Sequence, residues 1–85
     1  MQLLHVGFSN FIVSDRIVSL TTPNSAPIRR AVQTAKDNSK LIDLTNGRKS
    51  KAVIFMENGS IILSALNTDT LSMRINEGKE GEEKE

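Results

Sequence analysis

Cysteine, tryptophan and tyrosine are absent from this 85-residue chain, and histidine occurs once. Without thiols there are no disulfides and no thiolate metal centre, and lone His5 cannot build a histidine cluster. No cofactor is expected. A thiol-free composition fits a reducing interior. Acid–base and nucleophilic sets are correspondingly scarce: His5 stands near the N-terminus, and no second carboxylate is placed beside Asp43 by spacing. Enzymatic activity and a small-molecule substrate are therefore not expected. Gly47-Arg48-Lys49-Ser50 is not a phosphate-binding P-loop, which needs Gly followed directly by Lys-Ser/Thr and a glycine five residues upstream, where Ile42 stands. Apolar runs are short, and none approaches membrane-spanning length. The start, Met1-Gln2-Leu3-Leu4-His5-Val6, lacks the basic residues and long apolar stretch of an export signal. A cytoplasmic location without membrane association is expected.

Charge is present but unevenly spread. The formal net charge is +1. Residues 77–85 hold five glutamates and two lysines, net −3, which leaves nine Lys/Arg and five Asp/Glu, net +4, in residues 1–76. The first 76 residues are expected to form one folded domain. The last nine have no apolar side chain to bury and are expected to be an acidic, disordered tail. A chain this short buries a thin core, and with disulfides and thiolate metals excluded, oligomerisation is the remaining route to added stability.

The densest positive charge is Asn46-Gly47-Arg48-Lys49-Ser50-Lys51: three cations in four positions beside a turn signal, flanked by the strand-like runs Leu41–Thr45 and Ala52–Met56. Residues 44–56 contain no acid, so no local salt bridge neutralises the loop. A second basic set, Arg29, Arg30 and Lys36, falls on the best helix, and Arg16 precedes a strand. Clustered cations on a basic body are an electrostatic footprint suited to phosphates. Aromatic interleaving is missing. Phe8, Phe11 and Phe55 are the only aromatics, and Phe55 reads as core. Single-strand recognition needs exposed stacking platforms, so duplex binding through backbone phosphates fits better.

The order of elements reads as follows. Residues 2–8 and 11–22 are strand-rich, with a turn at Ser9-Asn10 and a break at Ser14-Asp15. Residues 25–38 form the principal helix: Ser25 or Asn24 caps it, Pro27 fits its first turn, and Ile28, Ala31, Val32 and Ala35 make an apolar stripe. Asn58-Gly59 marks a hairpin turn into Ile61–Leu66, and Asn67-Thr68 caps a short helix carrying Leu71 and Ile75. The class is α+β: a small, mostly antiparallel sheet, one principal helix and a short C-terminal helix.

Several segments together resemble the RemA family, the extracellular matrix regulatory protein A group of bacterial DNA-binding regulators. Asn24-Ser25-Ala26-Pro27-Ile28-Arg29-Arg30 is similar to the family's Pro-Asp-Ser-Ala-Pro-Ile-Lys-Arg, with Arg16-Ile17-Val18 and Pro23 at matching spacing. Asn46–Ile54 is similar to its His-Gly-Arg-Arg-Thr-Arg-Ala-Val-Ile, and Ile61-Ile62-Leu63-Ser64 to its Val-Ile-Leu-Ser. The resemblance runs from residue 3 to about residue 75. It implies a domain related to LytTR-type DNA-binding domains, assembly into closed rings, nucleoid association and transcriptional activation of genes such as those for biofilm matrix. Carried over by position, Arg48 and Lys49 match the DNA-contacting pair and Lys51 the next basic position; Arg16 and Pro27 match further positions of consequence. With Arg29 and Arg30 these are the expected DNA-binding residues. Two of the three loop arginines are lysines here, which supply charge to a phosphate but lack the planar fork that reads guanine edges. Asn46 replaces the family histidine, and Ser9 stands where glycine is usual. The expected function is a ring-forming, duplex-DNA-binding regulator. The alternative is an oligomeric scaffold that binds RNA or an acidic protein.

Overall fold

The computed structural model describes the backbone of residues 1–83 and the side chains of residues 1–77. The chain runs β1 (Leu3–His5), β2 (Phe11–Val13), a 3-10 turn (Ser14–Arg16), β3 (Ile17–Thr21), α1 (Ala26–Asp37), β4 (Leu41–Asp43), β5 (Ala52–Met56), β6 (Ile61–Ser64) and α2 (Thr68–Glu83). The expected α+β class holds. The break at Ser14-Asp15 does more than bend a strand: β1 and β2 form their own two-stranded antiparallel sheet, while β3 joins a four-stranded sheet of order β3-β5-β6-β4. In that sheet β3–β5 and β5–β6 are antiparallel, and β4 lies parallel to β6 at one edge.

Alternation along β5 and β6 builds two cores on the two faces of one sheet. Ala52, Ile54 and Ile62 point to one face and meet Leu4, Val6 and Ile12 of the hairpin and Leu71 of α2. Val53 and Ile61 point to the other and meet Ala35, Ile28, Ala31 and Val32 of α1. The result is three layers: α1, the four-stranded sheet, and the hairpin with α2. Each fully buried Val or Ile in the middle layer contributes about 1.5–3 kcal/mol of apolar transfer.

Both helices start where the capping residues place them. The Ser25 hydroxyl accepts the Ile28 N–H at 3.3 Å, and the Asn67 side chain accepts the Thr70 N–H at 2.8 Å. α2 extends further than its Leu71/Ile75 stripe requires. Its backbone reaches Glu83, into the stretch expected as an acidic tail, and residues 84 and 85 lie outside the described residues. Asn58-Gly59 turns β5 into β6: the Gly59 N–H reaches the Met56 carbonyl at 3.1 Å, with Gly59 at φ +87°.

Candidate nucleic-acid interface

The two strand arms flanking the basic loop are not neighbours. β6 lies between β4 and β5, so residues 44–51 arch across its C-terminal end. Two strand spacings are about 10 Å, whereas eight extended residues reach roughly 26 Å, so the segment has slack for a turn of its own. Both feet of the arch are tied to β6. The Leu44 N–H donates to the Leu63 carbonyl at 3.0 Å, and the Lys51 N–H to the Ser64 carbonyl at 2.8 Å. At its start the Asp43 carboxylate accepts both the Thr45 N–H at 2.9 Å and the Thr45 hydroxyl at 2.6 Å. These two bonds, the hydroxyl's foremost, hold the Asp43 carboxyl below its ordinary value of 3.8 against a small opposing effect of burial. Thr45 itself is buried.

Arch geometry follows from two residues. Asn46 and Gly47 have φ of +55° and +82°, and the Arg48 N–H closes the turn on the Thr45 carbonyl at 3.0 Å. Consecutive positive φ values are the type I′ pattern, which Asn-Gly adopts at least cost. Arg48, Lys49 and Lys51 follow on the limb that leads into β5 and are all exposed. Among the described residues the one salt bridge is Arg16–Glu57, so none of their carboxylates pairs with a cation of the arch.

A second loop stands beside the first. The turn Gly7-Phe8-Ser9-Asn10 joins β1 to β2, with Phe8 at φ +52° and Ser9 at φ +62°. Phe8 is 44% exposed, and its ring lies under Arg48, whose guanidinium carbon is 5.8 Å from the ring centroid. An open groove of about 650 Å³ runs between the two loops, lined by His5, Gly7, Phe8, Arg48, Lys49, Lys51, Ala65 and Leu66. Behind it, Arg74 of α2 donates to the His5 carbonyl at 2.9 Å, and its Nη1 lies 3.2 Å from His5 Nδ1. Sequence reading left Phe8 outside the site because it found no aromatic interleaved with the cations. The ring arrives from 40 positions away in the chain, through the docking of the hairpin on the sheet. Gly7-Phe8 before a turn was the one local signal.

The remaining basic residues separate. Arg29 lies on the other side of the arch, where it shares a small groove with Pro23, Val32, Ser50 and Leu63 and donates to the Asn24 carbonyl at 3.1 Å. Arg30 is exposed on α1. Arg16 is at the opposite end of the sheet, because Ile17 pairs with Met56 while Val53, near the arch, pairs with Thr21. Its guanidinium donates to Glu57 at 3.3 Å. Pro27 occupies the first turn of α1. Among the described residues no three His, Asp or Glu side chains gather as metal ligands, and no helix is long and apolar enough to cross a membrane.

Fold and site together define a small α+β protein that displays a cationic arch at one end of its sheet. The model of the family described as RemA-like, extracellular matrix regulatory protein A-like, matches residues 3–75, and the chain belongs to that family. A protein of Dictyoglomus turgidum is 47% identical over 83 residues, 98% of each chain. A Dehalococcoides mccartyi protein is 42% identical over 81 residues, covering 95% of this chain and 84% of its own. One from Synechococcus elongatus is 47% identical over 73 residues, 86% of this chain and 84% of its own. All three are named as candidate regulatory proteins. This membership makes the chain a regulator rather than an enzyme.

Proposed function

We propose that this protein is a ring-forming transcriptional regulator that grips duplex DNA with the arch 44–51, activating genes of the biofilm-matrix kind that its family's description suggests. The observation that carries the reading is the arch itself: three exposed cations, paired with no carboxylate among the described residues, on a loop tied at both feet to the end of a sheet strand. Arg48, Lys49 and Lys51 make the phosphate contacts, with Arg29 flanking them across the Ser50 groove. Arg30 contributes to the field of the same helix. Arg16, at the far end and paired with Glu57, supports the fold or assembly.

One copy with three cations binds weakly. Two adjacent copies in a ring engage about six phosphates, for a log–log salt slope near −5, and repetition around the ring adds avidity without new contacts. A ring with its arches on one face also bends DNA, so deformability contributes to sequence choice.

Fluorescence anisotropy with a promoter-length duplex over a salt series tests this. Arg48→Ala with Lys49→Ala is expected to weaken binding at least about tenfold and to bring the slope close to −2. Binding unchanged by the pair would remove the arch from the interface. The alternative, a scaffold for RNA or an acidic protein, draws support from Phe8, whose exposed ring offers a stacking surface beside the cations. Competition between duplex DNA and structured RNA decides: a clear preference for RNA selects the alternative.

A further inference from the structure

Phe8 is held in an unfavourable backbone conformation without the burial that would compensate it. At φ +52° a bulky side chain crowds its own carbonyl, and the turn would accept Gly or Asn more readily. The residue is 44% exposed. Strain of this kind persists where the surroundings over-determine it, and here they do. The Asn10 N–H and side-chain amide both donate to the Gly7 carbonyl, at 3.0 and 3.1 Å. The Ser9 N–H donates to His5 Nε2 at 3.2 Å, Arg74 clamps the His5 carbonyl at 2.9 Å, and the buried Ser64 hydroxyl donates to the Val6 carbonyl at 2.8 Å. Gly7 lies against Leu66, whose Cγ would be 3.6 Å from an added Cβ. The turn is therefore stapled to β6 and α2, and its ring is fixed in space.

Arg48 has a fixed backbone of its own, set by the Asn46-Gly47 turn. Among the described residues its guanidinium has neither a carboxylate nor a hydrogen-bond acceptor, only the Phe8 ring. Contact with the face of a ring restrains a guanidinium without consuming its N–H donors. A carboxylate would restrain it equally well but would neutralise it and occupy the fork.

We infer that Phe8 is a positioning residue for Arg48: it holds the guanidinium over the groove with its donors free, so that the one arginine of the arch meets DNA pre-oriented while Lys49 and Lys51 act as mobile point charges. The inference rests on the proposed DNA-binding reading of the arch. Pre-orientation reduces the ordering cost of the contact and leaves the planar fork able to address a phosphate or a guanine edge in two-point fashion.

The test is a double-mutant cycle on the full chain, with anisotropy of a fluorescein-labelled, mixed-sequence duplex. Phe8→Leu keeps bulk and branching beyond Cβ but loses the aromatic face. It is expected to weaken binding about two- to fivefold with the salt slope unchanged, and Phe8→Trp to restore it. In an Arg48→Ala background Phe8→Leu is expected to have no further effect. An equal loss in both backgrounds, or none in either, overturns the inference while leaving the arch as the DNA site. Binding indifferent to Arg48→Ala overturns both. A second measurement needs no DNA. The chain has no tryptophan, so Phe8→Trp introduces a single indole, whose emission in the free protein is expected to change when Arg48→Ala is added. An unchanged spectrum would show that the pair is not in contact.

Discussion

Two consecutive residues, Phe8 and Ser9, occupy the left-handed region at the tip of the first hairpin. For Phe8 the conformation serves Arg48. Ser9 has no such return: its side chain is exposed, and its backbone N–H, which bonds to His5, is one that glycine also carries. Ser9→Gly is expected to stabilise the protein by about 0.5–1 kcal/mol, the relief of strain being partly offset by the greater freedom of glycine in the unfolded chain. Thermal or urea unfolding reads this, and DNA affinity should not move. A lower melting temperature would mean that the serine makes a contribution the turn geometry does not explain. At this scale the sequence was half legible. Asn46-Gly47 announced its turn because the residues that tolerate positive φ were present. The turn at Ser9-Asn10 was legible too, but the left-handed backbone of Phe8 and Ser9 was not, because neither residue favours it; tertiary contacts impose it.

Among the elements, the arch depends on strand order. Because β6 lies between β4 and β5, residues 44–51 span two strand spacings across its end. Asp43 anchors the arch, and the anchor titrates. Its folded-state carboxyl lies below the ordinary value of 3.8, so the stabilisation is complete above that value and is lost as the pH falls through the lower folded one. Asp43→Asn should therefore unfold more easily than the parent at neutral pH, with the gap closing below about pH 4. Urea midpoints of the two proteins from pH 6 to acid test it, and a gap independent of pH would show that the negative charge is not what holds Thr45. The elements themselves were largely readable. The helix expected at 25–38 is Ala26–Asp37, and capping and the apolar stripe account for that agreement. Of their pairing, the Asn58-Gly59 hairpin between β5 and β6 was readable and the rest was not. The parallel alignment of β4 with β6 and the division of β2 and β3 between two sheets follow from which apolar faces find each other.

At the scale of the whole molecule, the hairpin buries Leu4 and Ile12 inward and turns Leu3 and Phe11 outward, 57% and 59% exposed. Val18 and Ile42 are exposed as well. Exposed apolar side chains on so small a protein suit an assembly interface, in keeping with the proposed ring. Light scattering at micromolar concentration is expected to give a mass several times the 9.4 kDa of one chain, and Phe11→Asp to shift it towards the monomer. A stable wild-type monomer would contradict the ring.

Chemistry that acts within a few residues needed no fold to be seen. The missing thiols, the basic run 46–51 without acids, the caps at Ser25 and Asn67 and the apolar stripe of α1 are all local in the chain. So were the family's segments. The crossing of residues 44–51 over the end of β6, the distance of Arg16 from that loop and the Phe8–Arg48 contact were decided by folding alone. Each depends on strand order or on docking between residues far apart in sequence, and burial of apolar surface, which is non-directional, carries no local signal of which faces will meet.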